Sequence, residues 1–171
     1  MPVPATPPPA PPAAAAPALA RETRSMTLQL HADADTSFPL FGPVRETEWS
    51  PDWSPRFLYP AAPAQGPDGA VFTTDGPGGA ASVWVMTDYD AAARGVRYVI
   101  LHPGLSVGEL SIHVAPAGPR ASTAEVTYRF TALGHAGNDA IARWVEHFPH
   151  MQPHWEQALN ARLAAPEGRP R

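Results

Sequence analysis

The sequence predicts an α+β domain: a curved antiparallel sheet of six to seven strands wrapped around one long C-terminal helix, with two short helices after the first strand. Three observations predict it. Between residues 70 and 132 of the 171-residue chain, short apolar runs alternate with Gly- and Pro-containing turns, as strands do. These connections are short, which favours antiparallel neighbours. After them, residues 138–164 carry apolar and aromatic side chains three or four positions apart, the period of a helix.

The composition excludes several classes of function. The chain has no cysteine, so it can form neither a disulfide nor a zinc–thiolate site. All 12 basic residues are arginine, so a lysine Schiff base to a cofactor is excluded. The net charge is −4 and the arginines are scattered, which argues against nucleic-acid binding. No apolar run approaches the ~20 residues that span a membrane. We therefore expect a cytoplasmic protein without a cofactor or a metal.

The chain divides into three parts. Residues 1–25 are rich in proline and alanine and are predicted to be a disordered leader, not a secretory signal, because prolines interrupt the apolar run. Residues 26–165 form the predicted domain, and residues 166–171 a disordered tail. Met26 stands directly before the first strand-like run, so we also consider it as the natural start of the protein.

The first part of the domain contains the first strand and the two short helices. Residues 26–33 alternate as a strand does, and residues 35–37 (Asp-Thr-Ser) offer capping oxygens for a short helix. A second short helix is predicted over residues 44–49. Trp49 and Trp53 then lie on a stiff loop, because the neighbouring prolines exclude regular structure.

The later strands and the long helix follow from their turn signals. Within the predicted strand 121–132, residues 123–132 alternate between polar and apolar side chains, so one face of this strand is buried and the other solvated. Asn138 is a plausible N-cap of the long helix, which Pro149 and Pro153 should kink. The predicted strands after the Trp loop are residues 70–74, 81–87, 96–102, 106–115 and 121–132.

A comparison of sizes predicts a cavity. Six strands span roughly 25–30 Å, whereas a helix with its side chains is only about 10–12 Å wide. The sheet must therefore curl around the helix, and apolar inward-facing side chains should surround a pocket. Tyr98 and Tyr128 would orient a ligand and the Trp loop would flank the entrance. The predicted ligand-binding residues are Trp49, Trp53, Trp84, Met86, Tyr98, Tyr128, Phe148, Met151 and Trp155.

Four short sequence segments support the same architecture. The segments HADADTSFPLF (31–41), Glu48–Trp53, YRFTAL (128–133) and HWE (154–156) resemble the first strand and helix, the tryptophan loop, and the last strand and helix of the START-like (SRPBCC) superfamily, in particular its uncharacterised bacterial members. The resemblance covers residues 26–164. It implies a helix-grip fold, shared by polyketide cyclases and aromatases, pollen allergens and lipid-transfer domains. Because catalytic residues differ between branches of the superfamily, no catalytic residue is carried over.

Three motifs suggest other chemistry. Residues 104–108 match the nucleophile pattern G-x-S-x-G, but a strand follows where that chemistry requires a helix, so we expect a hairpin turn. His147, His150 and His154 share one helical face, which we expect to be solvent-exposed and not a metal site. Glu109 and His113 share a strand face with Ser111, opposite the apolar residues, and should also face water.

Three functions remain open. The first is binding of a hydrophobic small molecule such as a lipid, a polyketide or an aromatic compound. The second is a cyclase- or dehydratase-type enzyme, for which the sequence offers no convincing inward acid or base beside the tyrosines. The third is a co-chaperone-like interaction module, which would need an exposed apolar patch. A monomer and a homodimer are both left open.

Overall fold

The computed structural model describes residues 18–61 and 68–165, and in them the predicted fold class is confirmed. Seven antiparallel strands form one sheet in the order β1-β7-β6-β5-β4-β3-β2. The strands are β1 (Arg21–Leu30), β2 (Arg56–Tyr59), β3 (Val71–Asp75), β4 (Ala81–Asp90), β5 (Gly95–His102), β6 (Ser106–Gly118) and β7 (Ala121–Ala132). The helices are α1 (Ala34–Ser37), α2 (His135–Ala164) and three 3₁₀ helices (Phe38–Phe41, Arg45–Glu48 and Pro77–Gly79).

The first strand begins earlier than predicted. Pairing between β1 and β7 starts at Arg21, opposite Thr131, so the boundary predicted after residue 25 is five residues late. Residues 1–17 and 166–171 of the predicted leader and tail lie outside the described residues. In sequence the charged residues Arg21–Ser25 resemble a disordered tail. In the structure they belong to β1, where the alternate residues Glu22 and Arg24 are half-buried. The two side chains form an ion pair with an N–O distance of 2.7 Å, which lowers the free-energy cost of burying their charges.

The strand pattern of the sequence is otherwise close to the structure. β7 has the predicted bounds, and its apolar side chains are the buried set. β4 and β6 run three residues further than predicted because their ends continue to pair with their neighbours. β2 was not predicted. It has only four residues, and its pairing with β3 shifts register between Phe57 and Tyr59, so no regular alternation marks it.

The long helix begins at His135, with Gly134 at the cap position and no side-chain cap. The prediction of Asn138 as the N-cap is therefore wrong. Asn138 lies within the first turns of the helix, and its side-chain amide binds the segment that leads into β1. Its Oδ1 accepts from the backbone N–H of Ala20 at 2.8 Å, and its Nδ2 donates to the carbonyl of Ala18 at 3.2 Å. Pro149 and Pro153 both lie within the helix.

Polar side chains of α2 also cover the open edge of β1. Asn160 donates to the carbonyl of Gln29 at 2.9 Å and accepts from the N–H of His31 at 2.8 Å, as a neighbouring strand would. Gln152 and Glu156 contact the same edge at 3.0 and 3.1 Å. The three residues are four positions apart, so they lie on one face of the helix. They satisfy edge groups that would otherwise need water or another chain.

This attachment places α2 at one side of the concave sheet. The helix packs chiefly against β1 and β7. The inner face of the remaining strands is met by a second segment, residues 34–53, which we call the plug. Among the described residues, no helix is long and apolar enough to cross a membrane.

Candidate functional site

The inner face of the sheet is built from side chains in register across four strands. Tyr98 on β5 lies opposite Met86 on β4 and Leu110 on β6, and Leu110 lies opposite Tyr128 on β7. All four are buried. The two phenols are therefore two strand spacings apart, roughly 10 Å between their backbones, on the same concave face.

Aromatic rings form one wall of this face. Trp84 stacks on Phe72, with centroids 5.8 Å apart, and meets the ring of Tyr98 edge-on at 5.8 Å. Trp53 from the plug completes the group, 5.1 Å from Trp84 and perpendicular to it. Trp84 and Trp53 keep part of their surface accessible although they point inward.

The helix contributes the opposite wall. Tyr128 contacts Trp144 and Phe148 edge-on at 5.9 and 6.5 Å. Further along, Trp155 contacts Trp49 of the plug at 5.2 Å. Met151, Trp155 and Trp144 remain half-buried beside the core. The predicted residues of the sheet, the helix and the Trp loop are thus gathered around one region between sheet and α2.

Side-chain hydrogen bonds to backbone carbonyls of the plug hold it in place. Trp49 Nε1 donates to Leu40 at 2.7 Å, and Trp53 Nε1 donates to Pro43 at 2.8 Å. Tyr98 donates its hydroxyl proton to Phe41 at 2.9 Å. Trp49, only 6% exposed, lines an inner wall, so its predicted place at the rim of an entrance is wrong: its indole is drawn inward to bind Leu40.

Two polar groups on the inner side have no such partner. The structure gives the Tyr128 hydroxyl and the Glu46 carboxylate no hydrogen bond to any described residue, although Tyr128 is only 6% exposed. Every fully enclosed side-chain nitrogen or oxygen of the described residues does have a partner. The oxygens of Tyr128 and Glu46 are therefore not fully enclosed, and each keeps some accessible surface.

Glu46 is the inward acid that the sequence analysis did not find. Burial raises the pKa of its carboxyl from 4.5 to about 8. By area Glu46 is only half-buried, so part of its side chain remains accessible. Burial and the Glu46 charge raise the pKa of both Tyr98 and Tyr128, in that order of size, so the carboxylate lies near both phenols.

The neighbouring carboxylate in the same 3₁₀ helix has the opposite environment. Glu48 binds Arg45 at 2.8 Å and Arg162 of α2 at 2.6 Å. These hydrogen bonds, that of Arg45 first, lower the pKa of Glu48. One turn thus places an ion-paired acid toward α2 and an unpaired acid toward the phenols.

A weak signal for Glu46 was present in the sequence. It stands three positions before Trp49 in the predicted second short helix, so the two residues share a face. An inward tryptophan there implies an inward glutamate. The backbone fixes it: the N–H of Glu46 donates to Gly42 at 2.9 Å, and its carbonyl accepts from Trp49 and Ser50.

An open apolar groove reaches the same region from one end of the sheet. It has a volume of about 270 Å³ and lies between the first half of α2 and the ends of β5 to β7. Phe130 and Trp144 line it, and both rings also contact Tyr128. At its rim, His102 Nδ1 lies 2.7 Å from the hydroxyl of Ser82, and burial lowers the pKa of His102.

The other motifs of the sequence lie outside this region. Ser106 begins β6 after a turn at residues 103–105, so no helix follows it, as expected. His147, His150 and His154 are exposed on α2, and Glu109 and His113 are exposed on β6. Glu109 binds Arg129 at 2.7 Å. Within the described ranges, no three acidic or histidine side chains converge as metal ligands would.

Comparisons with known proteins identify the fold. No protein-family model matches the chain, and no curated protein matches it by sequence. Solved structures do. Norcoclaurine synthase from Thalictrum flavum, in complex with dopamine and hydroxybenzaldehyde, superimposes with a TM-score of 0.65 at 11% identity, covering 88% of this chain and 91% of the synthase.

Two further structures agree. The Zhui aromatase/cyclase from Streptomyces sp. R1128 has a TM-score of 0.63 at 13% identity, over 87% of this chain and 99% of its own. Ara h 8.0201 has a TM-score of 0.61 at 15% identity, over 85% and 100%. The chain therefore has the START-like helix-grip fold that its sequence resembles.

Proposed function

We propose that this protein binds a small aromatic or otherwise hydrophobic molecule between the concave face of the sheet and α2. The observation that carries the proposal is that the hydroxyl of Tyr128, among aromatic side chains, and the carboxylate of Glu46 have no hydrogen-bond partner in the described residues and are not fully enclosed. Apolar walls with a few convergent polar groups are the usual composition of a ligand site. A buried phenol normally has a hydrogen-bond partner, and here a ligand would supply it.

The distribution of polar groups assigns roles within the proposed site. The hydroxyl of Tyr98 already donates its hydrogen bond to the carbonyl of Phe41, so it offers a ligand only acceptor lone pairs. Tyr128 can both donate and accept. Trp84, Met86 and Phe148 would supply apolar contact, and burial of such surface contributes about 25 cal/mol per Å². The groove beside Trp144 is the proposed way in.

Two of the structural neighbours are associated with aromatic compounds. Norcoclaurine synthase was solved with dopamine and hydroxybenzaldehyde, both small aromatic compounds. An aromatase/cyclase shares the fold as well. At 11–13% identity these proteins indicate the fold alone, so the ligand class of this chain rests on its own side chains.

Binding can be tested with 2-naphthalenemethanol, an aromatic alcohol, as the probe. Five tryptophans are present in the chain, so quenching of their fluorescence reports occupancy of a site lined by Trp84. We expect saturable binding to the wild type and weaker binding to Tyr128→Phe, which loses one hydrogen bond worth about 1 kcal/mol, or roughly fivefold in Kd. Native mass spectrometry of the purified protein should also detect a co-purified apolar compound.

The matched control is Tyr59→Phe, because Tyr59 on β2 is exposed and far along the sheet from β7. It should bind as the wild type does. Absence of saturable binding to the wild type, or equal weakening by both substitutions, would contradict the proposed site.

A second function, acid–base catalysis of the cyclase type, is favoured by one observation: the raised pKa of Glu46 beside two phenols. A carboxyl whose pKa lies near neutrality can both give and take a proton. Exchange of the methyl hydrogens of 2-acetylnaphthalene for deuterium, followed by NMR, requires this proton transfer. Wild-type protein should accelerate the exchange and Glu46→Gln should not; equal rates would argue for binding alone.

The interaction-module hypothesis has less support. The exposed large apolar side chains of the described residues are divided among separate places, including Leu58 and Tyr59 on β2 and Leu101 and Val107 on β5 and β6. Two strands separate these pairs in the sheet.

A further inference from the structure

The charge of the site restricts its ligand further. Among the described residues, Glu46 is the one acidic side chain close enough to both Tyr98 and Tyr128 to raise the pKa values of their hydroxyls. Burial alone accounts for the shift of its own pKa, with no arginine or histidine among the described residues lowering it. The nearest arginines in sequence and structure, Arg45 and Arg162, bind Glu48.

The other surfaces facing this space also favour positive charge. The faces of Trp84, Tyr98 and Tyr128 carry the negative part of their ring quadrupoles, which attracts a cation and repels an anion. The free lone pairs of Tyr98 and Tyr128 are acceptors. A protonated amine has donors for the carboxylate and both phenols, whereas an anionic ligand would find no cation in the described part of the site.

We infer that the site binds an aromatic molecule carrying a protonated amine, with the ammonium group seated on Glu46 between Tyr98 and Tyr128. The inference rests on the proposed function and names its ligand class. An ammonium on the carboxylate forms a charge-assisted hydrogen bond, which is about twice as strong as a neutral one. Tyr128, only 6% exposed and without a hydrogen-bond partner among the described residues, has a hydroxyl available to the same ligand.

Amine binding should release a proton from the protein, because Glu46 must ionise to hold the cation. With a pKa of about 8, the free carboxyl is mostly protonated at pH 7, so about nine-tenths of a proton leaves per amine bound. The same linkage makes amine affinity rise at least tenfold between pH 6 and pH 8.

Other titrating groups near the site do not imitate this behaviour. Burial raises the pKa values of Tyr98 and Tyr128, so both stay neutral throughout this range. Glu48 is ionised, since its pKa is lowered, and it is ion-paired with Arg45 and Arg162. After burial and Glu46, Tyr89 of β4 also contributes to the raised pKa of Tyr98. His102 in the groove has a lowered pKa and is neutral at pH 7.

The test compares two probes of the same shape, 2-naphthylmethylamine and 2-naphthalenemethanol, on the full-length protein. Isothermal titration calorimetry in buffers of different ionisation enthalpy gives both affinity and proton release. We expect the wild type to prefer the amine at pH 8 by at least tenfold and to release a proton on binding it at pH 7. Glu46→Gln should lose this preference.

Glu48→Gln is the matched control, two positions away in the same 3₁₀ helix but directed to Arg45 and Arg162. It should keep the preference for the amine and the proton release. If the alcohol binds and the amine binds no better, or if Glu46→Gln keeps the preference, the inference is wrong while the proposed function stands. If neither probe binds the wild type, both fail.

Discussion

Replacing Glu46 with glutamine should make the folded protein more stable at neutral pH. The side chain keeps its shape but loses an ionisation that the fold opposes. Burial raises the folded-state pKa from 4.5 to about 8, so the folded state binds more protons than the unfolded state between these values. Stability is therefore complete below about pH 4.5 and falls as the pH rises towards 8.

The size of the effect follows from the same two pKa values. Each pH unit between them corresponds to about 1.4 kcal/mol. At pH 7 the free energy of unfolding is thus lowered by roughly 3 kcal/mol, and at pH 5 by less than about 1 kcal/mol. Glutamine has no such linkage, so the gain from the substitution should grow with pH.

The assay is urea denaturation of wild type and Glu46→Gln at pH 5 and pH 8, followed by tryptophan fluorescence. Glu48→Gln is the control, because its lowered pKa makes the ionised form stabilising, and the variant should lose about 1 kcal/mol at pH 8. The reasoning fails if Glu46→Gln is no more stable than the wild type at pH 8, or if its advantage is the same at both pH values.

Two further substitutions test the framework of the site. Gly137→Ala places a methyl group against the carbonyl oxygen of Leu105, which is backbone and cannot rotate away; thermal melting should show a loss of about 2 kcal/mol, or roughly 5 °C in Tm. Asn160→Leu removes both amide contacts to the edge of β1; urea titration should show a loss of about 1 kcal/mol, with faster hydrogen exchange at the N–H of His31. An unchanged Tm for the first, or unchanged exchange for the second, would contradict these contacts.

Much of the fold could be predicted because its periodicities are strong. Residues 123–132 alternate without interruption, and β7 has the predicted bounds of 121–132. The start of β1 could not be predicted in the same way, since Glu22 and Arg24 occupy inward positions and hide the alternation. Their inward position depends on the pairing of β1 with β7, which is a tertiary contact, and a charged stretch after a proline-rich segment otherwise indicates a tail.

The candidate site was only partly predictable. Alternation placed Tyr98 and Tyr128 inward because each shares a strand face with clear apolar residues. Glu46 was missed because a charged residue in a short polar helix normally faces water. Its inward direction depends on how Trp49 anchors the plug through the carbonyl of Leu40, nine residues earlier, which no local pattern reports.

The amides of α2 along β1 have a consequence for assembly. A sheet can be extended by a second copy only where backbone groups at its margin are unclaimed. Asn160, Gln152 and Glu156 already bond the edge groups of Thr27, Gln29 and His31, so a second copy could not continue the sheet along that half of β1, and the opposite edge is β2. That strand is four residues long, and two such strands side by side would form a short, weak seam.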